Sequence, residues 1–192
     1  MRKSLLLAEI VLTSLNPVFA ADSPLKLIDT EKSLMTVRVF KAGFFSAFAG
    51  HEHEISAPVE SGSFSVENST VELGVDARKL RVMDKDVSDK DRAEIQQTML
   101  GPKVLDSERF PEIRFRSSSA ARQADGKWLL KGELTVHGQA RPIQVLVQER
   151  AGHYVGAAEV KQRDFGITPV TVGGGAVKVK NELRVEFDIV GK

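Results

Sequence analysis

Hydrophobic residues recur at every second position through most of this chain. The longest run, "VKVKNELRVEFDIV", sets Val177, Val179, Leu183, Val185, Phe187 and Ile189 on odd positions. Lys178, Lys180, Glu182, Arg184, Glu186 and Asp188 fill the even ones, and only Asn181 breaks the row. Successive side chains of a strand point to opposite faces, so the run predicts a long strand with one apolar and one charged face. At about 3.3 Å per residue it can run the height of a barrel.

The same alternation recurs upstream. Val71, Leu73 and Val75 share one side of "TVELGVD", and Ile113 and Phe115 oppose Arg114 and Arg116 in "PEIRFRS". Trp128, Leu130, Leu134 and Val136 oppose Lys127, Lys131, Glu133, Thr135 and His137, while Ile143, Val145 and Val147 mark another strand. Weaker strands are predicted near residues 25–30, 33–40, 58–67 and 153–163. Turn signals at Glu67-Asn68, Asp125-Gly126, Gly138-Gln139 and Ala151-Gly152 separate them. About eight antiparallel strands without βαβ spacing imply a sandwich or a closed barrel.

Three segments depart from the alternation. "SDKDRAEIQQTMLGP" predicts a helix: Ser88 and Asp91 resemble a capping box, Ile95 and Met99 share a face, and Gly101-Pro102 ends it. "KAGFFSAFAG" gathers Phe44, Phe45 and Phe48 at helical spacing, and together with Phe40 they are four of the ten phenylalanines. They read either as a core plug or as the lining of an apolar ligand cavity. Residues 1–20 begin with Arg2 and Lys3, pass through a short apolar run and end in Val18-Phe19-Ala20. That is the pattern of a secretory signal cleaved after Ala20, interrupted by Glu9, and the run is shorter than the roughly 20 apolar residues a membrane span needs. Residues 21–192 then form one domain, exported and without a transmembrane segment.

Composition narrows the partners. The 192 residues are 42% hydrophobic and 28% charged, enough for a real core. The formal charge is +1 with no polybasic tract, which removes the footprint of a nucleic-acid binder. Loss of Arg2, Lys3 and Glu9 with the signal leaves the two signs equal. With no cysteine, there are no disulfides, thiolate nucleophiles or Cys-ligated zinc, and a domain of this size must rely on its core.

Catalytic chemistry finds no centre. No G-x-S-x-G occurs, and Glu52 and Glu54 read as a solvated pair rather than an acid/base couple. His51 and His53, two residues apart, share a face on a strand, but a metal site needs a third ligand, which His137 or His153 would have to supply. "GHEHE" therefore reads first as a polar rim and second as half of a metal site. Gly173–Gly175 matches no phosphate-binding fingerprint and reads as a loop. Long strands with one apolar face close around an interior that is packed or hollow, and a barrel of about eight strands can hold one elongated apolar ligand. Alternation alone leaves packed and hollow both open.

"DRAEIQQTMLGPKVLDSERFPEIRFRS" (Asp91 to Ser117), "GELTVHGQARPIQV" (Gly132 to Val145) and "RDFGIT" (Arg163 to Thr168) together resemble the YceI-like family of bacterial exported proteins, over about Leu27 to Val190. The resemblance implies a lipocalin-like antiparallel barrel in the periplasm. It also implies a polyisoprenoid ligand, such as a prenyl phosphate or a quinone, with no other cofactor. This chain reads Val39-Phe40-Lys41 where common members carry a histidine, and Asp91-Arg92 where they carry Arg-Asp. On this reading Phe64, Leu73, Phe115, Trp128, Leu134, Val145, Leu183, Val185 and Phe187 form the walls, with Phe44, Phe45 and Phe48 near one end. His51, His53 and Arg92 contact a head group, and His137 takes a rim or structural role. The protein catalyses nothing, and homodimerisation is left open.

Overall fold

A computed structural model describes residues 25–42, 52–172 and 177–192. The expected signal, Phe44, Phe45, Phe48, His51 and Gly173–Gly175 lie outside these residues. Among the described residues twelve strands form one antiparallel sheet. They are Lys26–Leu27 (β1), Leu34–Ala42 (β2), His53–Ser56 (β3), Val59–Ser65 (β4), Thr70–Asp76 (β5), Arg81–Val82 (β6), Glu112–Arg122 (β7), Trp128–Val136 (β8), Gln139–Arg150 (β9), His153–Lys161 (β10), Thr171–Val172 (β11) and Val177–Val190 (β12). One helix, Asp89–Leu100 (α1), sits between β6 and β7.

The strand order β1-β4-β5-β7-β8-β9-β10-β12-β2-β3-β6 curls the sheet round on itself. β3 pairs with β2 and β4 pairs with β5, yet only Ala57 and Pro58 separate them, so they are two halves of one bent strand. That segment joins the two edges of the sheet and, with β5, β7, β8, β9, β10, β12 and β2, gives eight staves. β1 helps to close one end: Lys26 lies opposite Phe64 of β4, and Ile28 bridges to Gly191 just beyond β12. This end, with the β9–β10 hairpin and Leu34, is the β1 end. At the other, the α1 end, β2 finishes, β3 begins and the segment 83–111 crosses.

Local chemistry explains the elements. The Ser88 hydroxyl accepts from the Asp91 N–H at 3.1 Å and caps α1, while Gly101 follows its last turn. The reciprocal half of a capping box is replaced: the Asp91 carboxylate accepts from the Ser88 hydroxyl. Asn181, the break in the alternation, lies where the β12–β2 register shifts between Val179 and Leu183, and its side-chain oxygen accepts from the Arg163 N–H at 3.0 Å. On the outer face Arg38 of β2 reaches Glu186 of β12 at 2.8 Å and Glu54 of β3 at 3.2 Å. Arg38 and then Arg184 hold the Glu186 carboxyl below its ordinary pKa.

Candidate functional site

Inside the barrel the wall encloses a cavity of about 630 Å³. This falls within the roughly 300–1,000 Å³ of ligand pockets, and an interior packed to native density leaves no such space. The cavity follows β12 from Val179 to Ile189, about 33 Å of strand at about 3.3 Å per residue, so it is elongated. The inward rows supply the walls: Met35, Val37 and Val39 of β2; Val71, Leu73 and Val75 of β5; Ile143, Val145 and Val147 of β9. From above, α1 adds Ile95 and Met99.

Burial shows where the interior is hollow. Phe115, Trp128, Leu134, Leu183, Val185 and Phe187 all turn inward, yet each is only half-buried because it faces open space. Two glycines let rings lie flat against the wall. A Cβ on Gly132 would fall 2.7 Å from the Phe115 ring, and one on Gly156 would fall 2.6 Å from the Phe187 ring. A register shift between Ser117 and Ser119 changes the inward parity of β7, so that Ala120 joins Ile113 and Phe115 in the lining.

Polar groups gather at the two ends. At the α1 end the lining includes Lys41, His53, Asp91, Glu94, Thr98 and Gln162. His53 opens β3 with its side chain on the inward row of Ile55 and Ala57. Its Nδ1 lies 2.6 Å from Oδ2 of the buried Asp84, whose Oδ1 accepts from the Glu54 N–H at 2.8 Å. The carboxylate thus fixes the imidazole from one side, as in other histidines oriented for binding. At the β1 end the lining includes Ser65, Ser69, Trp128 and Tyr154. The Tyr154 ring meets Phe64 edge-on at 4.8 Å, and desolvation, followed by the charge of Glu149, raises its phenol pKa.

The nine residues expected to form walls, Phe64, Leu73, Phe115, Trp128, Leu134, Val145, Leu183, Val185 and Phe187, all line the cavity. Of the head-group candidates in the described residues, His53 does so and Arg92 does not. Arg92 instead donates from Nε to the Asp84 carbonyl at 2.9 Å and from its terminal nitrogens to Asp89 and Val87. It straps the loop that carries Asp84 and stands outside the cavity lining. His137 occupies the β8–β9 turn, with Nδ1 3.2 Å from the Phe165 carbonyl and its ring edge-on to Phe110, so its part is structural. His153, at the opposite end, pairs with Asp188 at 2.8 Å. Among the described residues no three histidine or carboxylate groups converge as metal ligands. Sequence reasoning missed Asp84, which lies 31 positions from His53 in an otherwise ordinary polar loop.

An antiparallel barrel whose apolar face turns inward onto an elongated cavity is a binding-protein fold of the lipocalin-like kind. The chain belongs to the YceI-like family, whose domain matches residues 27–191. A UPF0312 protein of Vibrio cholerae is 26% identical over 181 residues, covering 88% of this chain and 89% of that one. A UPF0312 protein of Vibrio vulnificus is 27% identical over 199 residues, covering 97% and 98%. Among solved structures, Burkholderia cenocepacia BcnA superposes with a TM-score of 0.59 at 19% identity, covering 84% of this chain and 98% of its own. A Campylobacter jejuni YCEI protein gives 0.52 at 11% identity, covering 72% and 81%. At these identities the two structures speak to the fold alone. Among the described residues no helix is long and apolar enough to cross a membrane.

Proposed function

We propose that this protein binds one long isoprenoid chain, such as a polyprenyl phosphate or a quinone, inside its barrel in the periplasm and catalyses no reaction. The observation that carries the reading is the elongated apolar cavity of about 630 Å³, with polar groups confined to its ends. Water in such a space would find few of the hydrogen-bond partners it needs. An apolar chain gains roughly 0.8 kcal/mol for each CH₂ it removes from water, against the cost of ordering it. His53, held by Asp84, then contacts the ligand's polar end at the α1 mouth.

The protein carries its own reporter, because its single tryptophan, Trp128, lines the cavity. Titration with isoprenoid alcohols of increasing length should quench or shift its fluorescence. Affinity should rise by about tenfold or more per added isoprene unit, where 1.4 kcal/mol is tenfold, and level off once the cavity is full. A saturable response that ignores chain length, or no response, contradicts the reading.

A further inference from the structure

We propose that the β1 end of the barrel is a membrane-docking collar through which the cavity exchanges its ligand with a phospholipid bilayer; the exchange, though not the docking, rests on the lipid-binding reading above. Leu25, Leu27, Leu34 and Val66 are 60%, 58%, 66% and 44% exposed, and they are four of the six exposed large apolar residues among the described residues. Scattered apolar residues on a surface need no explanation, but these are gathered at one end. Leu27 lies opposite Ser63 of β4, and its carbonyl accepts from the Lys192 N–H, so it flanks the end of β12. Leu34 lies on the other side of that strand, opposite Asp188. Val66 opens the β4–β5 turn beside the start of β1 and is both exposed and part of the cavity lining. Apolar surface therefore continues from the outside of this end into the lumen.

The surrounding charges favour a lipid surface over an acidic or basic partner. Lys26, Lys32 and Lys192 share this end with Asp29, Glu31 and Asp188; Lys32 is paired to Asp29 at 3.1 Å, and Asp188 to His153. Neither sign prevails. The opposite mouth instead carries Lys41, Asp91 and Glu94. With the β1 end on the bilayer, a chain sliding straight into the barrel keeps its apolar tail toward the membrane and its polar end toward His53.

The test is flotation of the mature protein with phosphatidylcholine vesicles, comparing the Leu25→Ser/Leu27→Ser/Leu34→Ser triple variant with Leu146→Ser. Leu146 is 49% exposed on the outside of β9, two strands round the wall from β12, and serves as control. Wild type should float and the control should match it. The triple variant should lose at least about fivefold of its vesicle binding, since interfacial binding scales with buried apolar area, and raised salt should change none of these results. Absence of flotation by wild type, or equal loss in the control, overturns the proposal. So does a wild-type dimer in sedimentation velocity that the triple variant converts to a monomer, because the leucines would then be a subunit interface. Should the triple variant melt early, Leu34→Ser alone, at unchanged melting temperature, must still reduce flotation. Titration of Trp128 fluorescence with geranylgeraniol, away from vesicles, separates the two readings. An unchanged affinity in the triple variant isolates docking, whereas a silent wild type with intact flotation rejects the isoprenoid reading and leaves the collar standing.

Discussion

The two sides of the barrel are built from the same alternation and do opposite things. Along the seam formed by β1, β3, β4 and β6, the inward side chains meet one another: Ile28, Ile55 and Phe64 are only 3%, 7% and 6% exposed. Along the arc from β7 through β10 to β12, larger side chains such as Phe115, Leu134, Leu183 and Phe187 point the same way and remain half-buried around the cavity. The difference lies in what packs against each side. The bent β3–β4 strand and α1 bring Ile55, Val82 and Met99 together with Phe64 in a continuous core, whereas the arc keeps its curvature and lays its rings against Gly132 and Gly156.

Truncation on the two sides separates them most strongly. Phe64→Ala should cost about 3–5 kcal/mol in urea unfolding, the loss expected when a packed aromatic leaves a new cavity. Phe187→Ala should cost no more than about 2 kcal/mol, because its half-buried ring already borders the open cavity, and should instead weaken isoprenoid binding. Equal stability losses would erase the contrast. The reverse substitution sharpens it. Ala120→Phe and Ala158→Phe both place a ring in the cavity and should reduce ligand affinity by at least about thirtyfold, while stability holds or rises by about 0.5–2 kcal/mol as in other cavity-filling changes. A well-folded variant that binds as tightly as wild type would place the ligand elsewhere.

A smaller effect is expected at the α1 mouth. Asp84→Ala removes the acceptor of the Glu54 N–H and the partner of His53, and should cost about 1–3 kcal/mol in stability. His53→Ala leaves the buried Asp84 Oδ2 without its partner, so it should also cost about 1–3 kcal/mol, and it should reduce affinity for a polar-headed isoprenoid more than for the matching hydrocarbon. A parallel loss for both ligands would make His53 a wall residue only. The smallest effect belongs to the turn that leads into the seam. Arg78 lowers the Asp76 carboxyl from an ordinary 3.8 to about 2. Its contribution to stability is therefore present above the ordinary value and lost as pH falls through about 2. The difference in urea midpoint between wild type and Asp76→Asn should shrink over that range and be constant at higher pH.

Much of this architecture was legible from the residues. Inward rows on β5, β7, β8, β9 and β12 follow the alternation, and α1 lies between Ser88 and Gly101 as its caps predict. The short strands β3, β6 and β11 escaped because two to four residues carry no period, and their pairing is decided by distant partners. Whether the wall closes on a core or a lumen was also hidden. Alternation records which side of a strand is apolar and holds no information on the distance to the wall opposite. The place of Arg92 was hidden for a related reason: a cation near a mouth has the right chemistry for a head group, and the sequence does not show that the loop carbonyls of Asp84 and Val87 accept its hydrogen bonds.

The claim that the arc encloses a ligand-binding lumen is tested most directly by native mass spectrometry of the exported protein, followed by solvent extraction and identification of what is released. The predicted result is one bound species of polyprenyl mass per chain, lost on extraction and absent from Ala158→Phe. A bare polypeptide mass that stays bare after incubation with polyprenyl lipids, or an adduct equally abundant on Ala158→Phe, would contradict it.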